Sequence, residues 1–151
     1  MSEDRTPLDI VNVRNLLPKS TSSDVTFEIA REWFQQCLSS HTRCQSRVNN
    51  LHVRSQMPTR LLDLSDNKVI LRERATVQHY ACLSHCWGSG ASILKTTLAT
   101  KQGFQKQIPW DSLPTTFTDA IDVCRKLGLD YLWIDSLCII QDCNEDVSSE
   151  I

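Results

Sequence analysis

The sequence predicts an α/β fold, because a helical pattern lies between two short runs with strand character. Residues 80–84 and 129–135 are apolar runs of the length that is typical of strands. Between them, apolar side chains recur at helical spacing: Phe117, Ala120, Ile121, Cys124 and Leu127. A strand, a helix and a strand in this order predict a parallel βαβ unit with a right-handed connection.

The ends of this central helix carry recognisable signals. Pro114 precedes it, and Thr116 together with Asp119 approximates a capping box. Gly128 follows the last apolar position and suits the left-handed backbone of a helix C-cap. We therefore expect a helix that begins near Thr116 and ends at Gly128.

The N-terminal half predicts a helix followed by a β-hairpin. Apolar residues recur at helical spacing over residues 25–38, and either Ser23 or Asp24 is suited to cap the first turn. Residues 58–64 and 69–71 read as two strands, because a polar turn separates them. The region before Ser23 is rich in polar residues and predicts a loosely held arm.

Two short helices complete the predicted secondary structure. Residues 92–100 predict one of them, between the first strand of the βαβ unit and its helix. The other is expected to begin near Asn144, with Asp142 or Asn144 as its cap. The sequence ends at Ile151 with no stop signal of its own for that helix, which predicts that the domain is cut off at its C-terminus.

Composition is that of an ordinary soluble domain. The 151 residues are 40% apolar and 23% charged, and the net charge of −2 gives no reason to expect binding to nucleic acid or to an anionic membrane. Neither a secretory signal nor a membrane-spanning run is present, so we expect a cytoplasmic location. Seven cysteines in such a chain are expected to be free thiols.

The parallel strand pair predicts a site at one edge of the sheet. Because both strands point their C-terminal ends the same way, the turns at 84–87 and 135–138 should lie close together. Asp135 ends an otherwise apolar strand, where a carboxylate is costly unless it is paired, caps backbone amides or acts on a ligand. The sequence favours capping and a functional role about equally.

Two familiar catalytic arrangements fit this site poorly. Ser84, His85 and Asp135 have the residue types of a hydrolase triad, but adjacent strand residues point to opposite faces and the nucleophile-elbow pattern is missing. Cys86 beside His85 is no better as a thiol nucleophile. Residues 88–90 lack the further glycines and the lysine of phosphate-binding loops.

A zinc site is a weaker alternative elsewhere in the chain. Cys37, His41 and Cys44 are spaced so that one helical face would present three ligands, with His52 or another cysteine as the fourth. Cys37 also continues the apolar stripe of its helix, and no pair of cysteines has the two-residue spacing of a zinc knuckle. Core thiols are therefore the preferred reading, and no metal is assigned.

Three sequence blocks carry a family resemblance. Residues 80–88, 113–122 and 131–142 together closely resemble the fungal heterokaryon incompatibility (HET) domain. Residues 58–63 and the Cys37 segment are similar to what commonly precedes that domain, so the resemblance extends from about residue 33 onward. It implies three regions: a flexible arm at 1–23, a helix and hairpin extension at 24–76, and the N-terminal part of a HET domain at 77–151.

This resemblance also implies a biological role. HET domains act in non-self recognition as effectors or signalling domains linked to programmed cell death, so protein partners or self-association are expected. HET domains are considered remotely similar to Toll/interleukin-1 receptor (TIR) domains, which implies a partial flavodoxin-like parallel sheet with flanking helices, preceded here by the helix and hairpin. Some TIR domains cleave NAD, which makes NAD a candidate ligand; the sequence identifies no cofactor. An inactive fragment and a zinc-bound regulatory module are the remaining alternatives.

The TIR analogy further implies candidate site residues. A carboxylate on the helix after Asp135 would act in NAD cleavage, with Glu150 preferred, Glu145 second and Asp135 itself as a third candidate. The presence of Glu145 and Glu150 is explained equally well if both are exposed on a helix face, where they aid solubility and have no catalytic role. Three further residues at the strand ends are expected to contact the ligand: Ser84, Trp87 and Trp133.

Overall fold

A computed structural model describes four stretches of the chain and two isolated residues: 20–42, 57–73, 79–87, 93–150, residue 18 and residue 77. Its four strands form one sheet in the order β2-β1-β4-β3. These strands are β1 (Arg60–Asp63), β2 (Ile70–Glu73), β3 (Ala81–Leu83) and β4 (Tyr131–Ile134). The α/β class is confirmed.

The sheet is mixed rather than wholly parallel. β3 and β4 pair in parallel, as predicted, with Ala81 opposite Leu132 and Leu83 opposite Ile134. β1 pairs antiparallel with both β2 and β4, so the expected parallel sheet holds for only one of the strand pairs. The hairpin belongs to this sheet because of β1, whose residues are all buried. A strand covered on both faces needs a central position, and the hairpin therefore joins the same sheet as the βαβ unit.

The predicted hairpin turn is confirmed. A short 3-10 turn at Ser65–Asn67 connects β1 to β2, and the Asp63 carboxylate accepts a hydrogen bond from the Ser65 backbone N–H at 3.0 Å. Asp66 and Asn67 have positive φ angles of 57° and 55°. Asp and Asn tolerate this left-handed conformation better than most other residues, which explains why they occupy the turn.

Five helices lie within the described residues: α1 (Asp24–Ser40), α2 (Leu98–Phe104), α3 (Thr115–Leu127), α4 (Asp135–Cys138) and α5 (Asn144–Glu150). Ser23 caps α1 as predicted, because its side chain accepts a hydrogen bond from the Thr26 N–H. α2 lies further along the chain than residues 92–100, since the capping box formed by Thr97 and Thr100 sets its start. The short helix α4, directly after β4, was not predicted.

The N-terminus of α3 differs from the prediction in one respect. Thr116 and Asp119 form no capping box, because the helix begins at Thr115 and has no side-chain cap. The carbonyl of Pro114 instead accepts the first hydrogen bonds, from the N–H groups of Phe117 and Thr118 at 2.8 and 3.1 Å. Gly128 ends the helix with a φ of 77°, as the sequence predicted.

The main core lies between the sheet and α3. Phe117, Ile121 and Cys124 of α3 are buried, which confirms the central positions of the predicted apolar stripe. The core cluster also contains buried residues from β1, β2, β4 and α4, namely Leu62, Leu71, Leu132, Ile134, Leu137 and Cys138. Burial raises the pKa of the Cys138 thiol to about 12, so this cysteine behaves as an apolar core residue.

Helix α1 docks on α3 through polar and cation–π contacts. The Arg31 guanidinium donates to the Lys126 carbonyl, with Nε at 3.0 Å. The Lys126 ammonium group lies 4.4 Å from the centre of the Phe27 ring and 3.8 Å from the Asp24 carboxylate. None of the α1 side chains is fully buried, so this helix lies against the surface of the domain.

A buried arginine connects the hairpin to the C-terminal segment. The Arg60 side chain is 3% exposed; its Nε donates to the Cys138 carbonyl at 2.7 Å and its Nη2 donates to the Asp146 carboxylate. Asp146 also accepts a hydrogen bond from the Ile140 N–H at 2.7 Å. Glu73 lies 3.7 Å from Arg60 Nη1 and 2.7 Å from Lys101 Nζ. The Lys101 hydrogen bond lowers the pKa of Glu73 despite partial burial.

Replacing Arg60 should destabilise the domain strongly. We expect Arg60→Met to lower the free energy of unfolding by about 3–5 kcal/mol, because Asp146 would keep its carboxylate in a largely buried position without a cation. Arg72→Met is the matched control, since Arg72 is half exposed and its pair with Asp63 should contribute less than about 1 kcal/mol. Urea unfolding followed by circular dichroism measures both. Equal effects of the two substitutions would contradict the proposed role of Arg60.

The Asp63 carboxylate should contribute acid-sensitive stability. Its burial opposes ionisation, but hydrogen bonds from Ser65 and Arg72 outweigh this effect and lower the pKa of Asp63. Because the folded-state pKa is below the unfolded one, the stabilisation is fully present above about pH 5 and is lost as the pH falls through the folded-state pKa. The difference in unfolding free energy between the native chain and Asp63→Asn should therefore shrink on acidification. A pH-independent difference would show that Asp63 stabilises the turn without its charge.

Candidate functional site

A pocket opens where β3 and β4 end. It has a volume of about 340 Å³, within the range of small-molecule sites. Four of the residues predicted to act here line it: Ser84, Trp87, Trp133 and Asp135. The expected meeting of the two turns at one sheet edge is thereby confirmed. The other lining residues are Cys82, Leu83, His85, Ile139, Gln141 and Val147.

Asp135 stands at the centre of the polar contacts in this pocket. Its Oδ2 accepts a hydrogen bond from Trp87 Nε1 at 2.8 Å, and its Oδ1 accepts one from the Ser136 N–H at 2.7 Å. The second bond is a local contact with the next residue and not the expected cap, because Asp135 is the first residue of α4 and this helix has no side-chain cap. The first bond fixes an aromatic side chain from the neighbouring turn, so Asp135 contacts both turns at the pocket wall.

His85 occupies the wall beside Asp135. Its side chain is 9% exposed, and its Nδ1 lies 3.7 Å from Asp135 Oδ1, which is beyond a normal hydrogen bond. Both ring nitrogens are buried without a hydrogen-bond partner in the described part of the chain. The imidazole packs edge to face on Phe117, with ring centres 5.0 Å apart. Unsatisfied buried polar groups are rare, so His85 marks a position where a ligand or water is expected.

The backbone around α4 holds the floor of the pocket. Gln141 Nε2 donates to the carbonyls of Asp135 and Ile139, at 3.0 and 3.2 Å. The fully buried Thr96 donates its hydroxyl to the Leu137 carbonyl at 2.6 Å and its N–H to the Ser136 carbonyl at 2.9 Å. These bonds fix the turn that carries Asp135, because they satisfy carbonyls within α4 and directly after it.

A second pocket adjoins the first. It has a volume of about 310 Å³ and shares His85 and Trp87 with the larger one. Its remaining lining residues come from the turn after β3 and from the start of α3: Cys86, Ile93, Pro114, Thr116 and Phe117. The Trp87 indole and the His85 imidazole therefore lie on the boundary between the two spaces.

The two glutamates predicted from the TIR analogy do not line either pocket. The Glu150 carboxylate accepts hydrogen bonds from the Thr59 backbone N–H, at 3.0 and 3.4 Å, just before β1 begins. Glu145 is exposed on the first turn of α5. Asp146 lies between them in sequence and pairs with Arg60. The acidic residues of α5 that have contacts in the described structure thus hold the hairpin in place.

The structure also clarifies the triad arrangement. β3 ends at Leu83, so the strand alternation no longer applies and both Ser84 and His85 line the pocket. The His85 nitrogens nevertheless form no hydrogen bond with Ser84 or with any other described residue. Sequence reasoning treated His85 only as a weak triad member; its position directly after a strand end was the signal that it belongs to the site.

Metal binding gains no support from the described residues. Among them, no group of three or more His, Cys, Asp or Glu side chains is placed to hold an ion. Two of the predicted zinc ligands, Cys44 and His52, lie outside the described residues, as does the 88–90 glycine segment. In the pocket itself, partial desolvation raises the pKa of the Cys82 thiol, which disfavours the nucleophilic thiolate.

Comparison with known proteins gives one match. The family model described as heterokaryon incompatibility protein (HET) matches residues 80–151, which confirms the predicted resemblance over that segment. No curated protein and no solved structure matches the chain. In the part of the chain that the structure describes, no helix is both long enough and apolar enough to cross a membrane.

Proposed function

We propose, from the premise that residues 80–151 belong to the HET family, that this chain is an effector or signalling domain of heterokaryon incompatibility linked to programmed cell death. The family is defined by heterokaryon incompatibility in fungi. The role as an effector or signalling domain is supported by the pocket, which is a concave polar and aromatic site rather than a flat surface. Its walls include Asp135, His85, Trp87 and Trp133. Protein partners or self-association would carry the signal onward.

The pocket's role in signalling can be tested in fungal cells. We expect expression of the chain to arrest growth and Asp135→Asn to weaken the arrest about tenfold, the factor that corresponds to about 1.4 kcal/mol of lost ligand binding. Asp111→Asn is the matched control, because Asp111 is exposed in the short turn before α3 and lines neither pocket. Equal expression and equal circular dichroism spectra of the variants are required.

The outcome separates two ways of signalling. Full arrest by the Asp135→Asn variant would contradict a role for the pocket and leave surface assembly as the mechanism. The same loss with Asp111→Asn would show a general effect of removing a negative charge. Absence of arrest by the native chain would contradict the effector role itself.

A second candidate function is NAD cleavage, favoured by the close placement of a carboxylate and two indole rings. The glycosidic bond between ribose and nicotinamide would break, the leaving nicotinamide would take the bonding electrons, and water would add to the ribose with loss of a proton. Asp135 would stabilise the positive charge that develops on the ribose, while Trp87 or Trp133 would stack on a ring. We propose Asp135 for this role before Glu150 and Glu145, because only Asp135 lines the pocket.

Nicotinamide release from NAD by the purified chain tests this candidate. We expect Asp135→Asn to reduce the rate at least about a hundredfold, as the loss of one electrostatic transition-state contact does in other enzymes. Glu150→Gln should keep most of the rate, because its amide oxygen still accepts from the Thr59 N–H. The opposite result, with Glu150→Gln inactive and Asp135→Asn active, would restore Glu150 as the catalytic carboxylate. No release by the native chain would exclude NAD cleavage by this chain.

A further inference from the structure

Asp135 differs from two other carboxylates that are largely buried, Asp63 and Asp146, in having no arginine or lysine partner among the described residues. Asp63 pairs with Arg72 and Asp146 pairs with Arg60. Among the described residues, Asp135 receives only neutral N–H groups, from Trp87 and Ser136, and the nearest group able to carry a positive charge is His85 at 3.7 Å. Keeping a carboxylate two-thirds buried without a cation is costly.

The Asp135 carboxylate retains capacity for a ligand. Two carboxylate oxygens offer about four lone-pair positions, and two of these are used by Trp87 and Ser136. The group is one-third exposed and lines the pocket, so its remaining lone pairs and its negative charge are accessible from that side. A positively charged group bound on that side would neutralise the carboxylate.

The aromatic walls favour the same kind of ligand. Trp87 and Trp133 both line the pocket, and tryptophan has the strongest attraction for cations among the aromatic side chains. No lysine or arginine is found among the described lining residues, and the lining residue that can become positively charged, His85, lies beside Asp135. The charge and the rings of the site are therefore complementary to a cation.

We propose that this pocket binds an organic cation, held by the Asp135 carboxylate and by the faces of the Trp87 and Trp133 rings. Two chemical sources share the required features: a quaternary ammonium group and an N-alkylated pyridinium ring. A volume of about 340 Å³ accommodates either of them. The proposal concerns equilibrium binding alone, so it stands whether or not the chain causes cell death or cleaves NAD.

Pairs of charged and uncharged isosteres test the proposal. Choline is compared with 3,3-dimethylbutanol, and 1-methylnicotinamide with nicotinamide, by calorimetric titration of the full chain. At least one cation should bind with an affinity at least about tenfold above that of its neutral isostere, the factor that about 1.4 kcal/mol gives. The preferred cation identifies the source: choline indicates an alkylammonium group, and 1-methylnicotinamide indicates a pyridinium ring.

Substitutions then locate the binding site. Asp135→Asn should remove the preference for the cation while leaving the weak binding of the neutral isostere unchanged. Trp87→Phe provides a second variant, which does not alter charge. It should weaken binding of the cation but not of the neutral isostere, because phenylalanine attracts cations less than tryptophan does. Asp111→Asn and Trp33→Phe are matched controls outside the pocket, and both should bind as the native chain does.

Three results would overturn the proposal. They are equal affinity for the charged and uncharged members of both pairs, no binding of either cation at millimolar concentration, and equal losses in the Asp135→Asn and Asp111→Asn variants. If Asp135→Asn does not fold, the comparison of Trp87→Phe with Trp33→Phe decides. Failure of the cell-death or NAD experiments has no bearing on these binding results.

Discussion

The buried Arg60 guanidinium is the constraint on which the rest of the domain depends. It lies at the start of β1, the strand that joins the hairpin to β4, and it bonds to both α4 and α5 through the Cys138 carbonyl and the Asp146 carboxylate. A guanidinium held in the interior is costly to desolvate and is tolerated only when its donors are satisfied. The C-terminal segment supplies these acceptors, so the hairpin must fold together with α4 and α5.

This dependence explains how the pocket obtains its shape. β4 is held on one side by β1 and on the other by β3. This pairing fixes the position of Asp135, the residue after β4, relative to the turn after β3. The hydrogen bonds of Thr96 and Gln141 then hold the backbone of α4. A carboxylate mounted on such a rigid support keeps its geometry before a ligand arrives, which lowers the cost of binding.

Much of the fold could be predicted from local patterns, whereas its long-range pairing could not. Helix α3, the hairpin and the β3–β4 pair followed from periodicity and from end signals such as Gly128, because these act within a few residues. The central position of β1 depends on burial on both of its faces and on the Arg60 network, which joins residues far apart in the chain. For the same reason the sequence placed Asp135, Trp87 and Trp133 near the strand ends but could not show that the His85 ring nitrogens have no hydrogen-bond partner among the described residues.

The acidic residues near the C-terminus show why residue type alone could not tell which carboxylate lines the pocket. Glu150 and Asp146 have the same charge as Asp135, yet the Thr59 N–H and the Arg60 guanidinium already occupy their oxygens. The Arg60 guanidinium compensates the charge of Asp146, whereas Glu150 receives a neutral N–H and lines neither of the two pockets. Asp135 also receives neutral N–H groups in the described structure, but it lines the pocket and is one-third exposed. Its position on the pocket wall thus distinguishes Asp135 from the acidic residues of α5.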